Sequence, residues 1–174
     1  MLTKVHGALV EIRGLGVLVL GASGIGKSEC ALDLVARGHQ LVADDVVEVE
    51  RSPGGRLVGR SPELIRHYIE VRGIGLLYVP ELFGAESVRD EASIELVCRL
   101  ERWREEAEYE RIGLSRPSEP ILGEPVPTLV LPVRPAGNMA LLVEVAARDA
   151  LQRRAGSNAA ARLDARLRGL TERP

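Results

Sequence analysis

The sequence predicts an α/β fold: a mixed β-sheet core that carries a phosphate-binding loop (P-loop), flanking helices, and further helices at the C-terminus. Three observations predict it. Short apolar runs at residues 17–20, 40–43, 94–100 and 128–131 alternate with helix-patterned segments. Residues 21–28 read Gly-Ala-Ser-Gly-Ile-Gly-Lys-Ser, the full Walker A spacing, between one such run and a helix-prone stretch. A chain of 174 residues, 45% apolar and 28% charged, is long enough for one real core, so residues 1–174 read as one domain with its core at about 3–155.

Each element has a local cause. Residues 5–12 and 17–20 read as strands separated by the reversal Arg13-Gly14-Leu15-Gly16. A helix over residues 28–36 puts Ala31, Leu34 and Val35 on one face, and Arg37 and Gly38 end it. Strand Gln40–Ala43 runs straight into Asp44 and Asp45. Strands at 46–50 and 56–58 flank Ser52-Pro53-Gly54-Gly55, the clearest hairpin signal in the chain. Ser61 with Pro62 reads as the start of a short helix through about Ile69, and residues 76–79 read as extended.

The charged run 101–111 reads as a solvated face, and 115–127, with four prolines, as a surface connection. Residues 132–137 form a loop. Asn138 caps a helix that buries Val143, Ala146, Ala147, Ala150 and Leu151 and closes at Gly156. Ser157 caps a last helix, residues 157–170, whose stripe of Ala160, Leu163, Leu167 and Leu170 is suited to docking on this domain or on a neighbouring subunit.

Composition narrows the function classes. A net charge of −2 and only one Trp, three Tyr and one Phe argue against nucleic acid as a partner. No apolar stretch approaches the roughly 20 residues that span a bilayer, and no signal peptide is visible, so a cytoplasmic protein without membrane partners is expected. Cys30 and Cys98 have no neighbours at metal-ligand spacing and read as buried small hydrophobes.

The chemistry starts from the loop of Gly21, Ala22, Ser23, Gly24, Ile25, Gly26, Lys27 and Ser28. Its glycines let backbone N–H groups close round a phosphate at the positive end of a helix. Lys27 is placed to reach the outer phosphates and Ser28 to ligate Mg²⁺. Asp44 and Asp45 close a strand, where α/β sheets place ligands. One of the two can hold the metal or its water while the other accepts the proton of an incoming hydroxyl. Glu70, in a segment with Arg72, Gly73 and Gly75, suggests backbone brought close to charge, and a structural role fits it equally well. Arg111 and Arg134 can each stabilise a transferring phosphoryl group, and each alone also reads as a surface arginine. His6 lies in a strand expected to neighbour the loop strand.

Together these residues resemble a known set. Val5-His6-Gly7, the loop with Glu29, Arg37-Gly38-His39 through Asp45, Gly59-Arg60-x-Pro62-Glu63-Leu64, Glu70-x-Arg72-Gly73-x-Gly75, Tyr109-x-Arg111-x-Gly113-Leu114 and Pro132-Val133-Arg134-Pro135 resemble the catalytic domain of bacterial HPr kinase/phosphorylase, in the form without its N-terminal domain. The resemblance spans about residues 3–155. It implies an enzyme that phosphorylates a serine of the phosphocarrier protein HPr with ATP or pyrophosphate, and in reverse uses inorganic phosphate to release pyrophosphate. It also implies a homohexamer and a nucleotide-binding core similar to that of phosphoenolpyruvate carboxykinase. Carried over by position, Lys27 grips the phosphates, Ser28 and Glu70 bind Mg²⁺, Asp45 is base and acid, and His6 and Arg111 are further catalytic residues. Residues 132–137 become the loop tied to phosphorolysis. Two positions depart: Ala22 stands where the family often has an acid, and Ala136-Gly137 replaces the usual Gly-Arg, which removes a cation from that loop. The alternatives are a regulatory nucleotide-binding module without transfer, or a kinase for a different hydroxyl acceptor.

Overall fold

A computed structural model describes residues 1–171. In chain order, β1 (Leu2–His6), β2 (Ala8–Ile12), β3 (Leu15–Gly21), α1 (Lys27–Ala36) and β4 (Gln40–Ala43) come first. β5 (Val46–Arg51), β6 (Leu57–Arg60), β7 (Tyr68–Val71), β8 (Gly75–Tyr78) and the short α2 (Val79–Phe83) follow. The long β9 (Glu91–Arg102), then β10 (Ser118–Ile121), β11 (Glu124–Val133), α3 (Met139–Arg154) and α4 (Ala159–Thr171) complete it. The result is the predicted α/β architecture, a large mixed sheet with flanking helices.

The main sheet runs β1-β5-β6-β9-β3-β2-β4, with β11 pairing β9 and β10 pairing β11, while β7 and β8 form a separate hairpin. β2 is antiparallel to both β3 and β4, so β3 and β4 point the same way. β9 is parallel to β3 and to β11. The carboxyl ends of β3, β4, β9 and β11 therefore share one edge of the sheet. That is the edge where α/β sheets receive ligands.

Two-residue periodicity divides the core between the faces of the sheet. Ala8, Val10, Ile12, Leu15, Val17 and Val19 pack on the side covered by α1 and α3, against Ala31, Leu34, Val143 and Ala147. Leu9, Leu18 and Leu20 point the other way, into a second cluster with Val47, Val49, Leu57 and Val97. β3 is buried along almost its whole length because neighbouring strands flank it and apolar layers cover both faces, so it reads as continuous Leu and Val rather than as an alternation.

Five local expectations need correction. The strand over residues 5–12 breaks at Gly7: β1 leaves to pair with β5, and only β2 neighbours β3. His6 therefore sits on an edge strand and not beside the loop strand. The helix expected from Ser61 is a single 3-10 turn, Glu63–Ile65, because β7 follows at once with Ile69 and Val71 facing in and Tyr68 and Glu70 facing out. The proline-rich stretch 115–127 contains β10 and the start of β11, where Pro120 pairs with Pro125 on a sheet margin that tolerates missing N–H groups. Pro132 and Val133 still belong to β11. Asn158, not Ser157, caps the last helix, accepting a hydrogen bond from the Ala161 amide at 3.1 Å. The α4 residues Leu163, Leu167 and Leu170 remain more than half exposed.

Behind the sheet, an ion cluster around the buried Glu144 and His39, with Arg37 and Arg148 at its exposed side, ties α1 to α3. Glu144, on α3, accepts from Arg148 Nη2 at 2.6 Å and lies 3.7 Å from Arg37 and 3.5 Å from His39, the residue just ahead of β4. The Arg148 hydrogen bond holds the Glu144 carboxyl below its ordinary value, and burial pushes His39 down. A depressed carboxyl stabilises the fold above its unfolded value and loses that contribution as pH falls through its folded value. Glu144→Gln is therefore expected to lower Tm at neutral pH, with its Tm converging on wild type as the medium is acidified through that window. A constant Tm gap across the window would contradict the assignment.

Candidate active site

At the carboxyl edge, β3 ends at Gly21 and the chain turns through the glycine loop into α1. Gly24 and Gly26 take φ of 76° and 105°, backbone that L side chains rarely adopt, which is why the loop carries glycine there. Gly26 caps α1 with no side-chain partner for the first N–H groups, which leaves donors at the positive helix end free for an anion. Lys27 Nζ donates to the carbonyls of Gly21 at 2.9 Å and Ala22 at 3.1 Å.

The loop opens on a cleft of 520 Å³. Around it the structure gathers Gly21, Ser23, Gly24, Gly26, Lys27 and Ser28 with His6, Asp44, Asp45, Glu70 and Arg72. His6 reaches it although β1 is an edge strand, because Gly7 N donates to the Asp45 carbonyl at 3.1 Å and pins the end of β1 beside the end of β4. The β7–β8 hairpin supplies Glu70 and Arg72. Gly73 and Gly75 do not line the cleft; Gly73 shares the hairpin turn with Arg72, and Gly75 opens β8.

The two adjacent aspartates are placed differently. Asp44 is only 5% exposed and accepts from Ser28 Oγ at 2.9 and 3.0 Å. Burial pushes its carboxyl up, against the Ser28 hydrogen bond and those from the Glu70 and Asp45 amides. Asp45 is exposed and adopts φ 66°, a left-handed conformation unusual for a residue with a Cβ. Strained backbone of this kind collects at functional sites, where the surrounding structure holds it. One carboxylate is thus locked to the Walker serine while the other faces the open cleft.

Ser28, Asp44 and Glu70 form a hard oxygen donor set, and among the described residues no group of three or more His, Cys, Asp and Glu is placed to hold a metal ion alone. Mg²⁺ in phosphate sites relies on one or two carboxylates plus substrate oxygens, so this set fits that ion. Glu29 also lines the cleft. An acid in a first helical turn reads from sequence as a dipole partner, which hides any second role.

Other expected residues lie elsewhere. Ala22 and Ile25 line a groove on the other side of the loop. Arg111 is exposed and lines a cavity with Arg104 and Tyr109, away from the cleft. Arg134 lies 3.8 Å over the Trp103 ring, which stacks on Tyr109 with centroids 5.0 Å apart, so it is held by a cation–π contact. Pro132, Val133 and Pro135 also stay outside the cleft. Beside them Ala136 takes φ 58°, left-handed backbone that glycine adopts more readily than alanine. A larger cavity, 660 Å³, lies between β6, β9, β11 and α3, but its Arg116, Arg153 and Arg154 are engaged by Asp149 and Glu95.

Known proteins resemble this chain in sequence and fold. The profile of the HPr Serine kinase C-terminal domain matches residues 1–167. The chain is 55% identical over 162 residues to the HPr kinase/phosphorylase of Caldicellulosiruptor bescii, covering 93% of this chain and 52% of that protein. It is 51% identical over 170 residues to that of Halalkalibacterium halodurans, covering 98% of this chain and 55% of that one. It thus spans about half the length of these relatives. The solved Hpr(Ser) kinase/phosphatase from Coxiella burnetii superimposes with a TM-score of 0.81 at 35% identity, over 88% of this chain and 93% of that chain. The chain belongs to the HPr Serine kinase C-terminal domain family.

Proposed function

We propose that this protein is a Mg²⁺-dependent protein-serine kinase that phosphorylates the phosphocarrier protein HPr from ATP or pyrophosphate, and that also phosphorolyses the product. The observation that carries this reading is the division of labour between Asp44, buried on Ser28, and Asp45, exposed over the same cleft. The names of the relatives support it. A cytoplasmic homohexamer is part of the same proposal.

In the forward direction the loop amides and Lys27 hold the donor phosphates, and Arg72 adds positive charge from the hairpin. Ser28, Asp44 and Glu70 would hold Mg²⁺, which when bound would supply charge neutralisation for the donor phosphates. Asp45 accepts the proton of the serine hydroxyl while its oxygen bonds to the terminal phosphorus and the bridging P–O bond breaks. In reverse, an oxygen of inorganic phosphate attacks the phosphoserine phosphorus, and protonated Asp45 gives its proton to the departing serine oxygen. One carboxyl serves both directions, as microscopic reversibility demands. His6 lines the same cleft, and in this reading it is a further catalytic residue that orients the acceptor.

The test supplies the chain with Mg²⁺ and HPr and compares ATP with pyrophosphate, then adds inorganic phosphate to phosphoserine-HPr. Transfer from both donors and phosphate-dependent pyrophosphate release are expected. With Gly137 where a cation is usual, the phosphorolytic rate is expected to be the slower. Failure of both reactions would contradict the proposal.

A further inference from the structure

Beside the phosphate cleft runs a groove of 540 Å³ that the transfer chemistry does not use. It shares His6 and Gly21 with the cleft, so the two are continuous around the phosphate loop. Its origin is a mismatch in strand length. β3 stops at Gly21, opposite Leu100, where the chain folds into the loop, whereas β9 continues to Arg102. The overrun leaves the end of β9 without a partner on the β3 side and carries Arg102 and Arg104 out past the loop.

Most arginines near the sheet are matched. Arg99 is engaged by Glu119, Arg153 by Asp149, and Arg148 by Glu144. Arg102 and Arg104 are exposed, and among the described residues neither guanidinium has an ion-pair or hydrogen-bond partner. Glu101 is the only carboxylate lining the groove, whose floor is apolar at Leu20 and Ile25. Ala22, where an acid would offset these charges, offers none. The same exposed segment runs on into Glu105, Glu106 and Glu108, which do not line the groove, so the positive charge is confined to the Arg102 and Arg104 side chains that do.

A groove with an apolar floor, two unmatched guanidinium groups at one end and the transfer site at the other suits an extended peptide segment with an acidic side chain. We propose that this groove docks an acidic segment of the acceptor protein, presented to Arg102 and Arg104 while the serine reaches Asp45. The inference rests on the protein-serine kinase reading of the cleft. Such contacts at an exposed rim act through long-range attraction, so they are sensitive to salt and set acceptor affinity rather than the chemical step.

The test is steady-state transfer from MgATP to HPr by wild type, R102E/R104E and R102K/R104K. Charge reversal is expected to raise the KM for HPr about tenfold, with kcat and the KM for ATP near wild type. The KM for HPr should climb with salt in wild type and fall with salt in R102E/R104E, where the reversed charges repel the acidic segment and salt screens the repulsion, and R102K/R104K should retain most of the acceptor affinity. An unchanged KM for HPr in R102E/R104E would overturn the inference, as would a rise in the KM for ATP alone, which would assign the groove to the donor. A wild-type chain that transfers nothing to HPr overturns the kinase reading and this inference with it; transfer with an unaltered acceptor KM in the reversed variant overturns only the inference.

Discussion

Asp45→Asn is expected to lower kcat for HPr phosphorylation by about 10³-fold while leaving nucleotide affinity near wild type. The substitution removes the proton acceptor and little else. Asp45 sits at φ 66°, and Asn is one of the few residues that tolerate the left-handed region, so the backbone should persist. The Asp45 carbonyl that accepts from Gly7 N, and with it the seating of His6, is unchanged by an amide side chain. Asp45→Ala removes the same group and adds backbone strain, so it should also lower Tm. Nucleotide titration alongside the kinetics separates the cases: retained transfer in Asp45→Asn would place the base elsewhere, and lost binding would make the residue part of the donor site.

Lys27→Met should lower kcat/KM for the phosphoryl donor by about 10²- to 10³-fold, the scale for loss of a preorganised cation from a transfer site. Here the ammonium has two duties. It donates to the carbonyls of Gly21 and Ala22, which seats it at the loop, and it carries the positive charge that a donor phosphate meets. Because those bonds are partly exposed, their loss should affect the fold little, and Tm is expected to stay near wild type. Lys27→Arg keeps the charge but presents a planar fork where a point charge is wanted, so it should rescue only part of the loss. Donor kinetics close to wild type in Lys27→Met would show that the loop amides and Arg72 suffice.

The loop was legible because its cause is local: glycines with positive φ, a strand before and a helix after are all written within residues 15–36. Asp44 and Asp45 were legible as a pair but not as individuals. Which one is buried depends on Ser28 and on the Glu70 amide, contacts made across the fold that no spacing rule contains. The β7–β8 hairpin was misread because Ser61 and Pro62 make a strong helix-start signal, although the alternation of Tyr68, Ile69, Glu70 and Val71 carried the strand period. Prolines in β10 and β11 masked a margin of the sheet where proline costs little. Arg111 and Arg134 read from the residues either as cations for a phosphoryl group or as surface arginines, and only resemblance favoured the first; neither lines the cleft, and Arg134 lies on Trp103. His6 shows the converse, since it lines the cleft although the strand neighbour expected from its position was wrong.

The central claim is that this cleft moves a phosphoryl group onto a serine, and mass spectrometry of HPr after incubation with the chain, Mg²⁺ and ATP tests it most directly. The account predicts one added phosphoryl group on a single serine, formed by wild type and absent with Asp45→Asn. ATP bound at the loop with HPr left unmodified would contradict it and leave a regulatory nucleotide-binding module in its place.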